Sequence, residues 1–169
     1  MQKLNRDSSR ISILNGSQIG IEFEFYSNLE LEETQKSLSK LLNRKIRLED
    51  KAHSDFQPSN EVFKMEPDMS GGKGLVELVT GAMPYRDARL VIIKMLGWIR
   101  ENGYTTDRAS IHLNMSFNPD YLDDGMMISK MNILKFILEF DEKRVYKYFP
   151  NRENSTYAKS IKWVMPKHE

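Results

Sequence analysis

Gly20-Ile21-Glu22-Phe23-Glu24-Phe25 lies within a run, Ile19 to Tyr26, that sets Ile19, Ile21, Phe23 and Phe25 against Gly20, Glu22 and Glu24. Alternation with a period of two is the mark of a strand with one apolar face. The opposite face then carries two carboxylates, roughly 7 Å apart along the backbone. Burying such a pair without partners is costly, so this face meets either water or a cation. A solvated strand face is the plain reading, and a metal site is the chemical one.

Working outward, apolar residues recur at helical spacing from Leu29 to Arg44, with Leu31, Leu38, Leu41 and Leu42 on one side and Asn28 as the expected cap. Lys45–Leu48 reads as a strand and residues 49–60 as a polar surface loop. Val62–Pro67 and Gly74–Thr80 read as two further strands, joined by Asp68-Met69-Ser70-Gly71-Gly72-Lys73. Pro84 opens a long helix that runs to Asn102, with Gly103 just past its end. Its expected buried stripe is Leu90, Ile93, Leu96 (or Gly97) and Ile99. Arg108–Phe117 is a further strand, closed by Asn118-Pro119-Asp120. A short strand is expected at Ile11–Leu14, a loop over 120–129, and helices near 141–148 and 155–163; the apolar Met131–Phe140 suits helix or buried strand, with helix preferred. Several strand pairs have connections too short for crossovers, so the expected class is α+β with a mostly antiparallel sheet and flanking helices.

Composition narrows the function. At 169 residues the chain is close to the usual domain size of about 100–150 residues, and 1–169 is expected to be a single domain with residues 1–10 mobile. An apolar fraction of 40%, with 10% aromatics, supplies a packed core. With 25 basic and 24 acidic residues, the formal net charge of +1 lacks the basic excess of a nucleic-acid binder. There are no cysteines, which excludes disulfides and thiolate metal sites and suits a reducing cytoplasm. No apolar run approaches the roughly 20 residues that span a bilayer, and Met1–Arg10 is unlike a secretory signal. A soluble, cytoplasmic protein is expected.

Two more stretches bear on the carboxylate pair: Asp68-Met69-Ser70 leading to Val76-Glu77-Leu78, and Ser110-Ile111-His112-Leu113-Asn114-Met115-Ser116. Hard cations such as Mg²⁺ and Mn²⁺ prefer oxygen ligands, and a catalytic Mg²⁺ uses few carboxylates, leaving positions for water and phosphate. Glu22, Glu24 and Glu77 are candidate carboxylate ligands on neighbouring strands, and His112 is a candidate nitrogen ligand. Each has a plain alternative: Glu77 as an exposed alternating residue, His112 as a hydrogen-bonded strand histidine, Asp68 and Ser70 as turn formers. Gly71-Gly72-Lys73-Gly74 lacks the spacing of a phosphate loop and leads into a strand. Asp123-Asp124-Gly125 lacks the spacing of a calcium loop. The ten methionines read as core gap-fillers. The basic, aromatic segment Arg144–Arg152 reads as a helix packing on the sheet rather than a nucleic-acid contact.

Taken together and in order from Gly20 to Phe117, these stretches resemble the amidoligase branch of the glutamine synthetase and glutamate–cysteine ligase superfamily. Glu22 and Glu24 match its Gly-x-Glu-x-Glu-Phe strand. Asp68-x-Ser70 and Glu77-Leu78-Val79-Thr80 are similar to its Asp-Gly-Ser stretch and Glu-Leu-Val-Ser/Thr strand. His112-Leu113-Asn114-Met115-Ser116 is similar to its His-x-His/Asn-x-Ser strand. The resemblance implies a curved sheet walling a funnel that holds ATP with Mg²⁺ or Mn²⁺, as in the glutamine synthetase catalytic domain. It also implies a carboxylate–amine ligase working through an acyl phosphate on small-molecule or peptide substrates. By this resemblance Glu22 and His112 share one metal, Glu24 and Glu77 another, and Asn114 and Ser116 contact phosphate or substrate.

The family carries a later Glu-x-Arg strand, and no segment after residue 120 reads as one. The resemblance therefore implies a fold incomplete at its C-terminus, with Arg152 as the remaining candidate to grip a phosphate or carboxylate. It leaves open a second function, a non-catalytic phage structural or assembly protein that keeps the ligase fold. Its expected setting is the host cytoplasm or a virion, as a homo-oligomer or part of a larger phage assembly.

Overall fold

The computed structural model describes residues 18–52, 54–68, 74–116 and 141–148. The chain divides into two compact units, 1–121 and 122–169. In the first, the run that alternates in sequence becomes the central strand, β1 (Gln18–Ser27). It is followed by α1 (Leu31–Leu42), β2 (Lys45–Leu48), β3 (Val62–Pro67), β4 (Leu75–Val79), β5 (Met83–Pro84), α2 (Tyr85–Asn102), β6 (Gly103–Tyr104) and β7 (Ile111–Ser116). In the second, α3 (Glu142–Tyr148) is preceded by Asp141, whose Oδ1 accepts from the Arg144 N–H at 3.2 Å. The expectations for 1–14, 69–73, 120–140 and 155–163 lie outside the described residues.

The class is α+β: an open, mixed, mostly antiparallel sheet in the order β2-β3-β4-β1-β5, with β6 and β7 also paired to β1. Register shows how β1 is sandwiched. Glu22 is opposite Val79 of β4 and also His112 of β7, so those strands occupy opposite edges of β1. Tyr26 is likewise opposite Leu75 and Tyr104. One pair departs from expectation, because β2 and β3 run parallel. The 49–61 connection is long enough to carry the chain back to the same end, which a hairpin turn is not.

Helices cover one face of the sheet. Ile19, Ile21, Phe23 and Phe25 of β1 are buried there with Phe63, Met65, Val76, Leu78 and Met83 from neighbouring strands. Leu38 and Leu42 of α1 join them, with Leu31 and Leu41 partly buried, as helical spacing predicts. The expected cap is displaced: Glu30 precedes α1 without a side-chain bond, and Ser27 Oγ instead accepts from the Leu29 N–H at 3.0 Å. Trp98 of α2 meets Phe25 edge-on at 5.7 Å between ring centroids and donates Nε1–H to Ser37 Oγ at 2.9 Å, which ties α2 to α1.

The buried stripe of α2 shares Ile99 with the expected one and otherwise differs from it. Ala88, Val91, Met95, Trp98 and Ile99 are buried, whereas Leu90, Ile93 and Leu96 are exposed. Both sets share helical spacing, and the helix is apolar on both, so periodicity alone does not choose between them. On β7 the apolar residues Ile111, Leu113 and Met115 are exposed too. Among the described residues, no helix is long and apolar enough to cross a membrane.

The opposite face of the sheet is approached from one side by the 49–61 connection. An added Cβ at Gly81 would lie 2.1 Å from the Ser59 carbonyl carbon, so a residue without a side chain is required where β4 leads into β5. This contact and the β3 pairing hold the connection beside the polar face.

Candidate functional site

Strand alternation and register assemble the polar face row by row. One row crosses three strands with a carboxylate on each: Glu66 of β3 opposite Glu77 of β4, and Glu77 opposite Glu24 of β1. The next row runs Lys64, Val79, Glu22, His112. Asn114 follows opposite Gly20, and Ser116 opposite Gln18. Glu77 of β4, Glu22 and Glu24 of β1, and His112 and Asn114 of β7 are therefore on one face, in the order in which their strands lie. Ser116 is also on it, at the far end, with its Oγ donating to the Gln18 carbonyl at 3.4 Å. Arg152 and Ser70 lie outside the described residues. Asp68 closes the β3–β4 ladder, its N–H donating to the Leu75 carbonyl at 2.9 Å.

Glu22 is the hub of the β7 side. Its Oε2 is 2.9 Å from His112 Nδ1, and its Oε1 accepts from Asn114 Nδ2 at 3.0 Å. The other imidazole nitrogen, Nε2, is 3.0 Å from Ser110 Oγ and 3.8 Å from Glu24 Oε1. Glu24 is 9% exposed and its Oε2 accepts from the Ser110 N–H at 2.9 Å. A carboxylate only accepts, so in the neutral ring Nδ1–H donates to Glu22 and Nε2 accepts from Ser110.

The sequence Ser110–His112–Glu22 has the order of an acyl-transfer relay, and its surroundings argue against that use. A serine nucleophile needs N–H donors where the oxyanion develops. Here the Ser110 N–H is taken by Glu24, whose carboxylate faces the same space. The arrangement suits a cation and repels an anion.

On the β3 side, Glu66 and Lys64 form a buried ion pair, with Nζ 3.0 Å from Oε1. Glu66 is 2% exposed and Lys64 8%. Oε2 of Glu66 accepts from the Ser54 N–H at 3.2 Å, and Lys64 Nζ donates to the Ser54 carbonyl at 3.5 Å, so the pair also fixes the 49–61 connection. These two residues and Ser110 were not among the sequence candidates. The signal for Lys64 and Glu66 is the alternation in Val62–Pro67, where Phe63 and Met65 take one face and Lys64 and Glu66 the other.

Glu77 sits between the two halves. Desolvation by burial, reinforced by Glu22, Glu66, Asp68 and Glu24, pushes its carboxyl up from 4.5 to about 7. A row of carboxylates that retains a proton near neutrality is an electrostatic environment that a divalent cation relieves.

As the side chains stand, no three acidic or histidine side chains among the described residues converge to enclose an ion. The donor set fits a hard cation in part. Glu22 Oε2 and His112 Nδ1, 2.9 Å apart, are joined by the Nδ1–H hydrogen bond, which a cation ligated by both would replace. Carboxylate oxygens, one imidazole and the Asn114 amide are the ligand types such a site takes, with water and phosphate oxygens to complete it. Thr80, in the Glu77-Leu78-Val79-Thr80 stretch, braces the hub. Its Oγ1 accepts from the Ile21 N–H at 2.9 Å and its own N–H donates to the Ile21 carbonyl at 2.8 Å, beside Glu22.

Compared with known proteins, the chain matches no family model, no curated protein and no solved structure.

Proposed function

We propose that the polar face of the sheet is a site for a divalent cation and a nucleoside triphosphate, and that the protein is an ATP-dependent carboxylate–amine ligase. The observation that carries this is the pair of adjacent rows, Glu66–Glu77–Glu24 and Glu22–His112, which concentrates carboxylates and one imidazole on a single face. Glu22 and His112 hold one cation, Glu24 and Glu77 a second; Asn114 and Ser116 orient phosphate or substrate. Bound Mg²⁺ or Mn²⁺ neutralises charge on the phosphate oxygens during transfer. A substrate carboxylate oxygen attacks the γ-phosphorus, the bond to ADP breaks, and an acyl phosphate forms. The amine nitrogen then attacks the acyl carbon, phosphate leaves, and the nitrogen loses a proton. The glutamine synthetase-like funnel, and a role for Arg152 in gripping phosphate, belong to the same proposal.

A second reading, a non-catalytic assembly module of the same fold, is favoured by the exposed apolar side chains Ile111, Leu113 and Met115 on β7 and Leu90, Ile93 and Leu96 on α2. Calorimetric titration of MgATP and MnATP into the wild type and a Glu22→Ala, Glu24→Ala double variant separates the two. The ligase reading expects micromolar, metal-dependent binding that weakens at least roughly 100-fold in the variant, a loss of about 2.7 kcal/mol or more. Absence of binding to the wild type supports the assembly reading.

A further inference from the structure

Beyond the carboxylates, the same face carries an aromatic pair. Tyr26 is two residues past Glu24 on β1, hence on the same side of the strand. Tyr104 of β6 is its cross-strand partner, and the two rings stack with centroids 4.9 Å apart and planes 6° from parallel. The approach is close because residue 103 is a glycine: an added Cβ there would lie 2.3 Å from the Tyr26 carbonyl oxygen. Leu75, opposite Tyr26 on the other edge, is buried on this face and not in the helix-side core. Tyr26 covers one side of the Tyr104 ring, and Tyr104 is still 51% exposed. The open aromatic surface is therefore its outer side.

The position of the pair relative to the carboxylates is the second observation. Along β1 the tyrosine row begins roughly 7 Å from Glu24 and roughly 13 Å from Glu22. Phosphates at Glu22 and Glu24 and a base at Tyr104 are thus separated by about the length of an extended nucleotide. A stacked ring gains from aromatic contact whatever the base, because every base has a π-face.

We propose that the Tyr26–Tyr104 stack is the nucleobase shelf of the site, with the purine against the outer side of Tyr104. This rests on the metal–nucleotide reading, and the test separates the failure of one from the failure of the other. Three probes, adenosine, manganese tripolyphosphate and MnATP, are titrated into the full chain and into Tyr104→Ala and Tyr104→Phe. Adenosine is followed through the Tyr26 ring resonances, which the wild type and both variants share. Tyr104→Ala is expected to weaken adenosine and MnATP roughly tenfold or more and to leave tripolyphosphate unchanged, while Tyr104→Phe retains all three. Adenosine binding lost in Tyr104→Ala, with no tripolyphosphate binding, upholds the shelf and removes the phosphate site. The shelf is overturned if Tyr104→Ala binds adenosine like the wild type. It is also overturned if adenosine does not bind and MnATP binds no more tightly than tripolyphosphate.

Discussion

Glu66→Ala is expected to destabilise the protein by about 3–5 kcal/mol, read as a lower urea midpoint at unchanged slope. The wild-type pair is nearly dry, with Glu66 2% and Lys64 8% exposed and their charges 3.0 Å apart. Removing the carboxylate leaves the Lys64 ammonium buried without its counter-charge and takes the acceptor from the Ser54 N–H. Such an uncompensated charge costs more than the intact pair contributes, because desolvation offsets most of the Coulombic attraction. The control follows from the same asymmetry. A Lys64→Met, Glu66→Leu double variant, which removes both charges and keeps the volume, is expected to recover most of the loss. A Glu66→Ala midpoint equivalent to less than about 1 kcal/mol, the range of a surface ion pair, would show that the pair is open to water.

The second large effect concerns Glu77 and pH. Its carboxyl is raised from 4.5 to about 7, so between those values the folded state holds a proton that the unfolded state has released. Stability attributable to this group is fully present below pH 4.5, declines as pH rises through that window, and is lost above pH 7. Glu77→Gln keeps the shape and abolishes the titration. Relative to the wild type, the variant is expected to gain melting temperature steadily from pH 4.5 to 7 and then hold the gain. Because Glu77 is partly solvated, the gain falls below the ~1.4 kcal/mol per unit of an unscreened shift. Mn²⁺ should narrow the difference above pH 7 by stabilising the charged wild-type carboxylate. A melting-temperature difference independent of pH would mean that Glu77 titrates like an ordinary surface glutamate.

Much of the fold is legible because alternation is a local property. The Ile19–Tyr26 run specifies which side chains of β1 enter the core and which stand opposite, and Leu38 and Leu42 specify the inner side of α1. Pro84 and Gly103 bracket α2 as expected. Its rotation was not legible, since Leu90, Ile93 and Leu96 form as good an apolar stripe as Ala88, Val91 and Met95. The parallel β2–β3 pair depends on where the 49–61 connection travels, which Gly81 and Ser59 settle through a contact distant in sequence.

The candidate site divides in the same way. Glu22 and Glu24 stand out on one strand, and the motif resemblance pointed to Glu77, His112 and Asn114, all of which fall on that face. Which residue lies opposite which is a matter of register, and a single sequence does not contain it. Glu66 was missed for that reason: only the Glu66–Glu77–Glu24 alignment gives it a place in the row. The tyrosine stack was missed likewise, because Tyr26 and Tyr104 belong to strands far apart in the chain.

The most direct measurement is the imidazole spectrum of His112 with Mn²⁺ added in the presence of ATP. The chain has three histidines, His53, His112 and His168, so the assigned ring signals give a position as well as a yes or no. Sub-stoichiometric Mn²⁺ is expected to broaden His112 first, and Glu22→Ala to abolish the selectivity. Broadening confined to His53 or His168, or none at all at saturating MnATP, would contradict the claim that the carboxylate face holds the cation.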